Sequence, residues 1–146
     1  MDTVAILNRL LLIHERSLPM YLVHARPWTH MGSEKALDEK ALDVFQLVVS
    51  DQRAMAERIS EFIIHAGHQV HTGGAFPLEF TDMHDLAVEF LIGRAVAYQK
   101  QDVEAIQSCA GQLRLAPAAL SLAEEALGMA KGHLQSLDEL LEQPVK

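Results

Sequence analysis

The chain has 146 residues, of which 49% are hydrophobic and 22% are charged, and its formal net charge at pH 7 is −8. This length suits one hydrophobic core, so we predict a single domain over residues 1–146 and exclude a largely disordered chain. The acidity disfavours nucleic acid as a partner, because such binding depends on neutralising phosphates with Lys and Arg. The single cysteine excludes an internal disulfide and a cysteine-rich metal site.

The hydropathy pattern disfavours a membrane protein. No apolar run approaches the roughly 18–20 residues that a membrane-spanning helix needs. Asp2 stands where a secretory leader carries basic residues, and charged residues follow soon after Ile13. We therefore expect a cytoplasmic protein with no membrane partner.

Four segments have the apolar spacing of buried helix faces. The first covers about residues 2–24 and is expected to bend, or to lose its regular hydrogen bonding, at Pro19, which has no backbone N–H to donate. The second covers about residues 34–66, with Ser33 as its N-cap and Gly67 as its stop.

The third predicted helix covers about residues 82–100 and is capped by Thr81 or Asp82. Asp102 then opens a shorter helix over about residues 103–113, or the third helix continues through that stretch. Its predicted inner face comprises Leu86, Phe90, Gly93 and Ala97. The fourth helix has Pro117 in its first turn and ends near residue 142. Its predicted inner face comprises Leu122, Ala126, Met129, Leu137 and Leu140.

A segment of about 13 residues, 68–80, separates the second and third helices, and its glycines and Pro77 predict a loop. Thirteen extended residues reach at most about 43 Å, whereas a 20-residue helix is about 30 Å long. The loop can therefore return along the bundle and make helices 2 and 3 parallel. We predict an all-α fold, specifically a ferritin-like four-helix bundle with a long crossover between helices 2 and 3. A loop that only covers the surface is the alternative.

Short motifs in the first half of the chain resemble the Dps branch of the ferritin-like superfamily. They are Trp28-Thr-His-Met-Gly32, Met55-Ala-Glu-Arg-Ile59 and Gly73-Gly74. The resemblance covers about residues 5–75 and implies iron binding and oxidation within a hollow homo-oligomer, with Glu57 as an iron ligand. Pro27 and Arg53 stand where the family has histidine and aspartate. The alternative function is therefore a non-catalytic bundle that serves as an oligomeric scaffold or binds a partner.

Ordinary ferritins place their metal inside each bundle, using a Glu from each of two helices and Glu-x-x-His from each of the others. The predicted ligands for iron or another transition metal occupy comparable positions, and they are Glu15, Asp51, Glu89 and His133. Ala54 and Ala130 stand where this pattern has His and Glu, so the set is incomplete. His14 and Glu15 also fit a solvent-facing stretch, and His133 also fits a hydrogen-bonded structural histidine.

Two further expectations follow from the sequence. The spacing His65-x-x-His68-x-x-His71 forms a second candidate metal site, because neutral imidazole binds zinc, copper, nickel or iron. The first helix is apolar on more than one face, which predicts burial against other chains and hence a homo-oligomer. The sequence identifies no protein partner.

Overall fold

The computed structural model of the chain describes residues 2–24, 35–71, 75–85 and 87–142. These residues form five α-helices and one 3-10 helix, with no β-strand among them, so the all-α prediction is confirmed. The helices are α1 (Thr3–Glu15), α2 (Leu18–His24), α3 (Lys35–His65), α4 (Val88–Gly111) and α5 (Pro117–Leu141), with the 3-10 helix (Leu78–Asp85) before α4. Within this described part of the chain, no helix is both long enough and apolar enough to cross a membrane.

The first predicted helix is divided close to Pro19, as expected. α1 ends at Glu15, and Ser17 caps α2 because its Oγ accepts a hydrogen bond from the N–H of Met20 at 3.2 Å. The same hydroxyl donates to Gln52 Oε1 of α3 at 2.6 Å. Pro19 then occupies the first turn of α2, where its missing N–H costs no helical hydrogen bond.

The end of α3 confirms the predicted stop at Gly67. This glycine has a φ of +82°, its N–H donates to the carbonyl of Ile64 at 2.9 Å, and the N–H of His68 donates to the carbonyl of Ile63 at 3.2 Å. The two bonds form a Schellman motif, which satisfies the last carbonyls of a helix and favours glycine at the left-handed position. Ser33, the predicted N-cap of this helix, lies outside the described residues.

The start of α4 differs from the prediction. Thr81 and Asp82 lie within the 3-10 helix, and the N-cap of α4 is Ala87, which makes no side-chain cap bond. The predicted cap is therefore wrong. Thr81 Oγ1 donates instead to the carbonyl of Leu78 at 2.7 Å, so the hydroxyl stabilises the 3-10 turn. α4 continues to Gly111, which is the longer of the two predicted alternatives.

The buried face of α4 is also different from the predicted one. Phe90 has 63% of its surface exposed, Gly93 and Ala97 are exposed, and Leu86 lies outside the described residues. The buried face comprises Val88, Leu91, Ile92, Ala95, Val96, Gln99, Ile106, Cys109 and Ala110. Because α4 has apolar residues at two rotational settings, spacing alone does not determine which face packs inward.

Helix α5 begins with Pro117 at its first turn, as predicted. Its buried residues include Leu122, Ala126, Leu137 and Leu140. Met129 is partly buried. The predicted inner face of this helix is therefore confirmed in four of its five positions.

The buried core divides into two apolar clusters along the length of the helices. One cluster lies on α1, α3, α4 and α5, and the residues at its inner boundary on these helices are Leu11, Met55, Ile106 and Ala130. The other extends on α2, α3, α4 and α5 as far as Leu18, Phe45, Val96 and Leu137. The 3-10 helix and the segment before it cover the second cluster, where Phe80 makes an edge-to-face contact with Tyr98 at a centroid distance of 5.0 Å.

Candidate metal centre

A layer of polar side chains crosses the middle of the bundle between the two apolar clusters, and we call it the mid-bundle polar layer. Its members are His14, Ser17, Asp51, Gln52, Gln99, Asp102 and His133. Five of the seven are buried, and Asp51 and Asp102 are partly buried. α1, α3, α4 and α5 all contribute to it. Burying polar groups costs free energy unless they find partners. Apolar packing alone does not require these side chains, so the layer is the candidate functional site.

Two of the predicted metal ligands meet in this layer. His133 Nε2 of α5 lies 2.8 Å from Asp51 Oδ2 of α3, with 8% and 40% of the two side chains exposed. An ionised carboxylate only accepts hydrogen bonds, so Nε2 carries the hydrogen. In the neutral imidazole the other nitrogen, Nδ1, then bears a lone pair. That Nδ1 is buried and has no hydrogen-bond partner among the described residues.

His14 presents a second bare nitrogen. Its Nδ1 lies 2.8 Å from the carbonyl oxygen of Leu10, which can only accept, so Nδ1 carries the hydrogen and Nε2 carries the lone pair. Nε2 is buried and has no hydrogen-bond partner in the described part of the chain. Burial lowers the pKa of His14, the neighbouring His133 lowers it further, and the bond to Leu10 opposes both effects. The imidazole of His14 is therefore neutral at neutral pH.

The interpretation of His14 as a solvent-facing residue is wrong, because only 2% of its surface is exposed. The sequence contains the signal for this. His14 falls on the same helical line as the buried residues Leu7, Leu11 and Leu18, at alternating spacings of three and four. A polar residue on an otherwise apolar helix face is expected to be buried. The line of Leu7 and Leu11, continued to His14, therefore predicts that His14 is buried.

The remaining predicted ligands differ in their placement. Glu15 is partly buried, and burial raises the pKa of its carboxyl while Arg16 opposes the shift. Glu89 lies near the start of α4, ten residues before Gln99, whose Nε2 donates to the carbonyl of Ala130 at 3.0 Å. Since α4 and α5 are antiparallel, this register puts Glu89 about 10 Å along the bundle from the level of His133. Metal binding by these carboxylates stays a prediction.

A further ionisable group in the layer was not predicted. Burial raises the pKa of Asp102 from its ordinary value of 3.8 to about 7. A carboxyl group with such a pKa is partly protonated at neutral pH, so it can donate as well as accept a hydrogen bond. Its position one turn beyond Gln99 on the inner face of α4 is the available sequence signal.

The three histidines at and after the end of α3 do not all meet at one place. His65 lines a surface hollow with Glu61, whereas His68 and His71 line another hollow beside α1. Asn8 of α1 holds the segment 68–71 in place, because its Oδ1 accepts a hydrogen bond from the N–H of His71 at 2.7 Å. Considering only residues that the structure describes, no group of three or more His, Cys, Asp or Glu side chains is arranged to hold a metal ion.

The positions that carry the Dps resemblance are mostly not described. Glu57 is exposed on α3, whereas Pro27, the Trp28–Gly32 motif and Gly73-Gly74 lie outside the described residues. The chain matches no protein-family model, no curated protein and no solved structure. The mid-bundle polar layer is therefore the feature of the molecule that points to a function.

Proposed function

We propose that this chain is a ferritin-like helical bundle that binds iron or another transition metal within its mid-bundle polar layer. Where the bound ion is Fe(II), the proposal includes its oxidation by oxygen or peroxide, with iron as the substrate. The single observation that carries the proposal is the layer itself. α1, α3, α4 and α5 bring polar or ionisable side chains to one level of an otherwise apolar core, which is how helical bundles form cofactor and metal sites.

The order of contacts between helices supports the ferritin-like topology. Asp51 contacts His133 and Arg58 contacts Glu125 at 2.6 Å, so residue numbers rise along α3 as they fall along α5. α5 is also antiparallel to α4, to which it is joined by the short connection 112–116. α3 and α4 then run in the same direction, which is what a long crossover between them produces.

Iron uptake by the untagged, full-length protein tests the proposal. The metal-free protein is incubated anaerobically with Fe(II), desalted and analysed for iron, and the ferric absorbance is followed after oxygen or peroxide is added. We expect bound iron up to about two ions per chain, as in di-iron bundles. His133→Gln should reduce the bound iron, whereas Asp43→Asn, which changes an exposed carboxylate on α3, should not. Iron content no higher than in a buffer control would refute iron binding.

The second candidate function is a bundle without metal that serves as an oligomeric scaffold. One observation favours it: Asp51 Oδ2 and His133 Nε2 already satisfy each other by a direct hydrogen bond, so neither atom needs a metal. A homo-oligomer is expected under both functions. Sedimentation velocity of the metal-free protein tests self-association, and a scaffold is favoured if the protein assembles fully while binding none of the transition metals tried.

A further inference from the structure

We infer that His14 and His133 form a two-imidazole site for a copper- or zinc-class ion, with His14 Nε2 and His133 Nδ1 as the ligand atoms. The inference rests on the proposed function and identifies the ligands and the class of metal. It adds His14, which the sequence pattern did not select, and assigns Asp51 the role of a positioning residue that contacts the ligand.

Both imidazoles are already held as metal-binding histidines usually are. Such a histidine commonly donates its second N–H to a carboxylate or a backbone carbonyl, which fixes the ring and keeps the other nitrogen unprotonated. His133 uses Asp51 Oδ2 at 2.8 Å for this purpose, and His14 uses the carbonyl of Leu10 at 2.8 Å. When both rings are neutral, they present bare nitrogens without any rearrangement of their hydrogen bonds.

The hydrogen bonds of the described residues leave these two nitrogens unsatisfied. Each is buried without a hydrogen-bond partner among the described residues, and both belong to the same polar layer. An unsatisfied buried polar atom is destabilising. An electron-pair acceptor would satisfy both lone pairs, and a metal ion held between the two rings would accept from both at once.

The donor set favours one class of metal. Imidazole nitrogen suits copper, zinc, nickel and iron, whereas magnesium, calcium and manganese prefer carboxylate and carbonyl oxygen. The described residues offer no third His, Cys, Asp or Glu arranged around a common point, and the proposal assigns the remaining coordination positions to water. A site of two nitrogens and water fits Cu(II) or Zn(II). Iron in a di-iron bundle is held instead by a site rich in carboxylates.

Copper binding to the full-length, untagged protein tests this assignment. Cu(II) is added at one equivalent, its affinity is measured by competition with a chelator, and electron paramagnetic resonance with ¹⁵N-histidine labelling counts the bound imidazoles. We expect two coordinated imidazoles. His14→Gln and His133→Gln should each abolish the two-nitrogen spectrum, and Asp51→Asn should weaken binding by about 10- to 100-fold while keeping that spectrum.

His65→Gln is the matched control. His65 also donates from Nδ1 to the carbonyl four residues before it, at 2.9 Å from Glu61, but its ring is exposed. The control should bind copper as the wild type does. Circular dichroism and urea unfolding establish that each variant folds, and because Asp51→Asn retains a hydrogen-bond acceptor, it tests the assignment even if a histidine variant does not fold.

The outcomes separate this inference from the proposed function. An unchanged two-nitrogen spectrum in folded His14→Gln would overturn the assignment. If Glu15→Gln removed the metal instead, metal binding in the bundle would stand without the two-imidazole site. If the wild type bound neither Cu(II), Zn(II) nor Fe(II), both proposals would be refuted, and an internal water would be the remaining partner for the two nitrogens.

Discussion

His133 of α5 and Asp51 of α3 are joined by a hydrogen bond of 2.8 Å between Nε2 and Oδ2. The contact links two helices that are 82 residues apart in the chain at this point. It also connects the interior to the surface, because His133 is buried while 40% of the Asp51 side chain is exposed. The pair is therefore a structural link between helices as well as the centre of the proposed site.

Removing the carboxylate should destabilise the fold. Asp51→Ala leaves the buried Nε2–H of His133 without its acceptor, and we expect the free energy of unfolding to fall by about 1–2 kcal/mol. Asp51→Asn, which keeps an acceptor oxygen, should lose less. Urea unfolding of the metal-free protein measures both. Equal losses for the two variants would show that the acceptor is not what matters.

The pKa of Asp102 gives stability a specific pH dependence. Because burial raises this pKa from 3.8 to about 7, the native state binds the proton more tightly than the unfolded state does. The stabilising contribution is complete below about pH 4 and is lost as the pH rises through about 7. Asp102→Asn removes the ionisation, so this variant should gain stability relative to the wild type as the pH rises.

We expect the advantage of Asp102→Asn to reach about 1–2 kcal/mol at pH 8, less than the full shift would give because the side chain keeps some solvent access. Urea unfolding at pH 4 and pH 8 measures it. The control is Asp43→Asn, at an exposed position on α3. A difference between wild type and Asp102→Asn that is the same at both pH values would contradict the shifted pKa.

Ser17 stabilises two elements at once. Its hydroxyl accepts from the N–H of Met20 and donates to Gln52, a side chain that is only 5% exposed. Ser17→Ala removes the cap of α2 and leaves Gln52 without this donor, so we expect a loss of about 1–2 kcal/mol. Ser108→Ala, at an exposed position in α4, should change stability by less than about 0.5 kcal/mol. Thermal unfolding monitored by circular dichroism compares the two.

Two glycines should respond to alanine in opposite directions. Gly67 has a φ of +82°, so Gly67→Ala strains the backbone and should cost about 1 kcal/mol. Gly93 lies within α4, and apart from its chain neighbours and the nearby backbone of the helix, no atom lies within 4 Å of the position that a Cβ would take. Gly93→Ala should therefore stabilise the protein by up to about 1 kcal/mol, because alanine favours the helix. Chemical unfolding of both variants distinguishes backbone strain from side-chain fit, and a loss at Gly93 would reveal an unrecognised contact.

The sequence was sufficient where local chemistry determines the structure. Gly67 ends α3 and Pro117 begins α5 as predicted, because both residues act through their own backbone geometry. The face of α4 was not predictable in the same way. Phe90 and Leu91 are both apolar, and only the packing of α4 against its neighbours exposes one and buries the other.

The candidate site was predictable only in part. Asp51 and His133 were selected separately from a helix-spacing pattern, and their contact depends on the pairing of α3 with α5. The solvent-facing alternative for His14 is wrong, although its spacing from Leu7 and Leu11 gives the signal for burial. The spacing of residues does not predict histidine tautomers or ring nitrogens without hydrogen-bond partners, because both depend on which oxygen each ring contacts.

The division of the core has a consequence for how the molecule opens. The break between α1 and α2 at residues 16–17 is adjacent in the chain to His14, and Ser17 itself belongs to the polar layer. Helix continuity is thus interrupted at the level where apolar packing is also interrupted. We expect this plane to separate two units that open with different free energies, although α3, α4 and α5 run through it without a break. Amides near residue 17 should exchange with deuterium earlier than those around Leu10 or Leu91, and ligand bound between the halves should make the whole bundle exchange as one body.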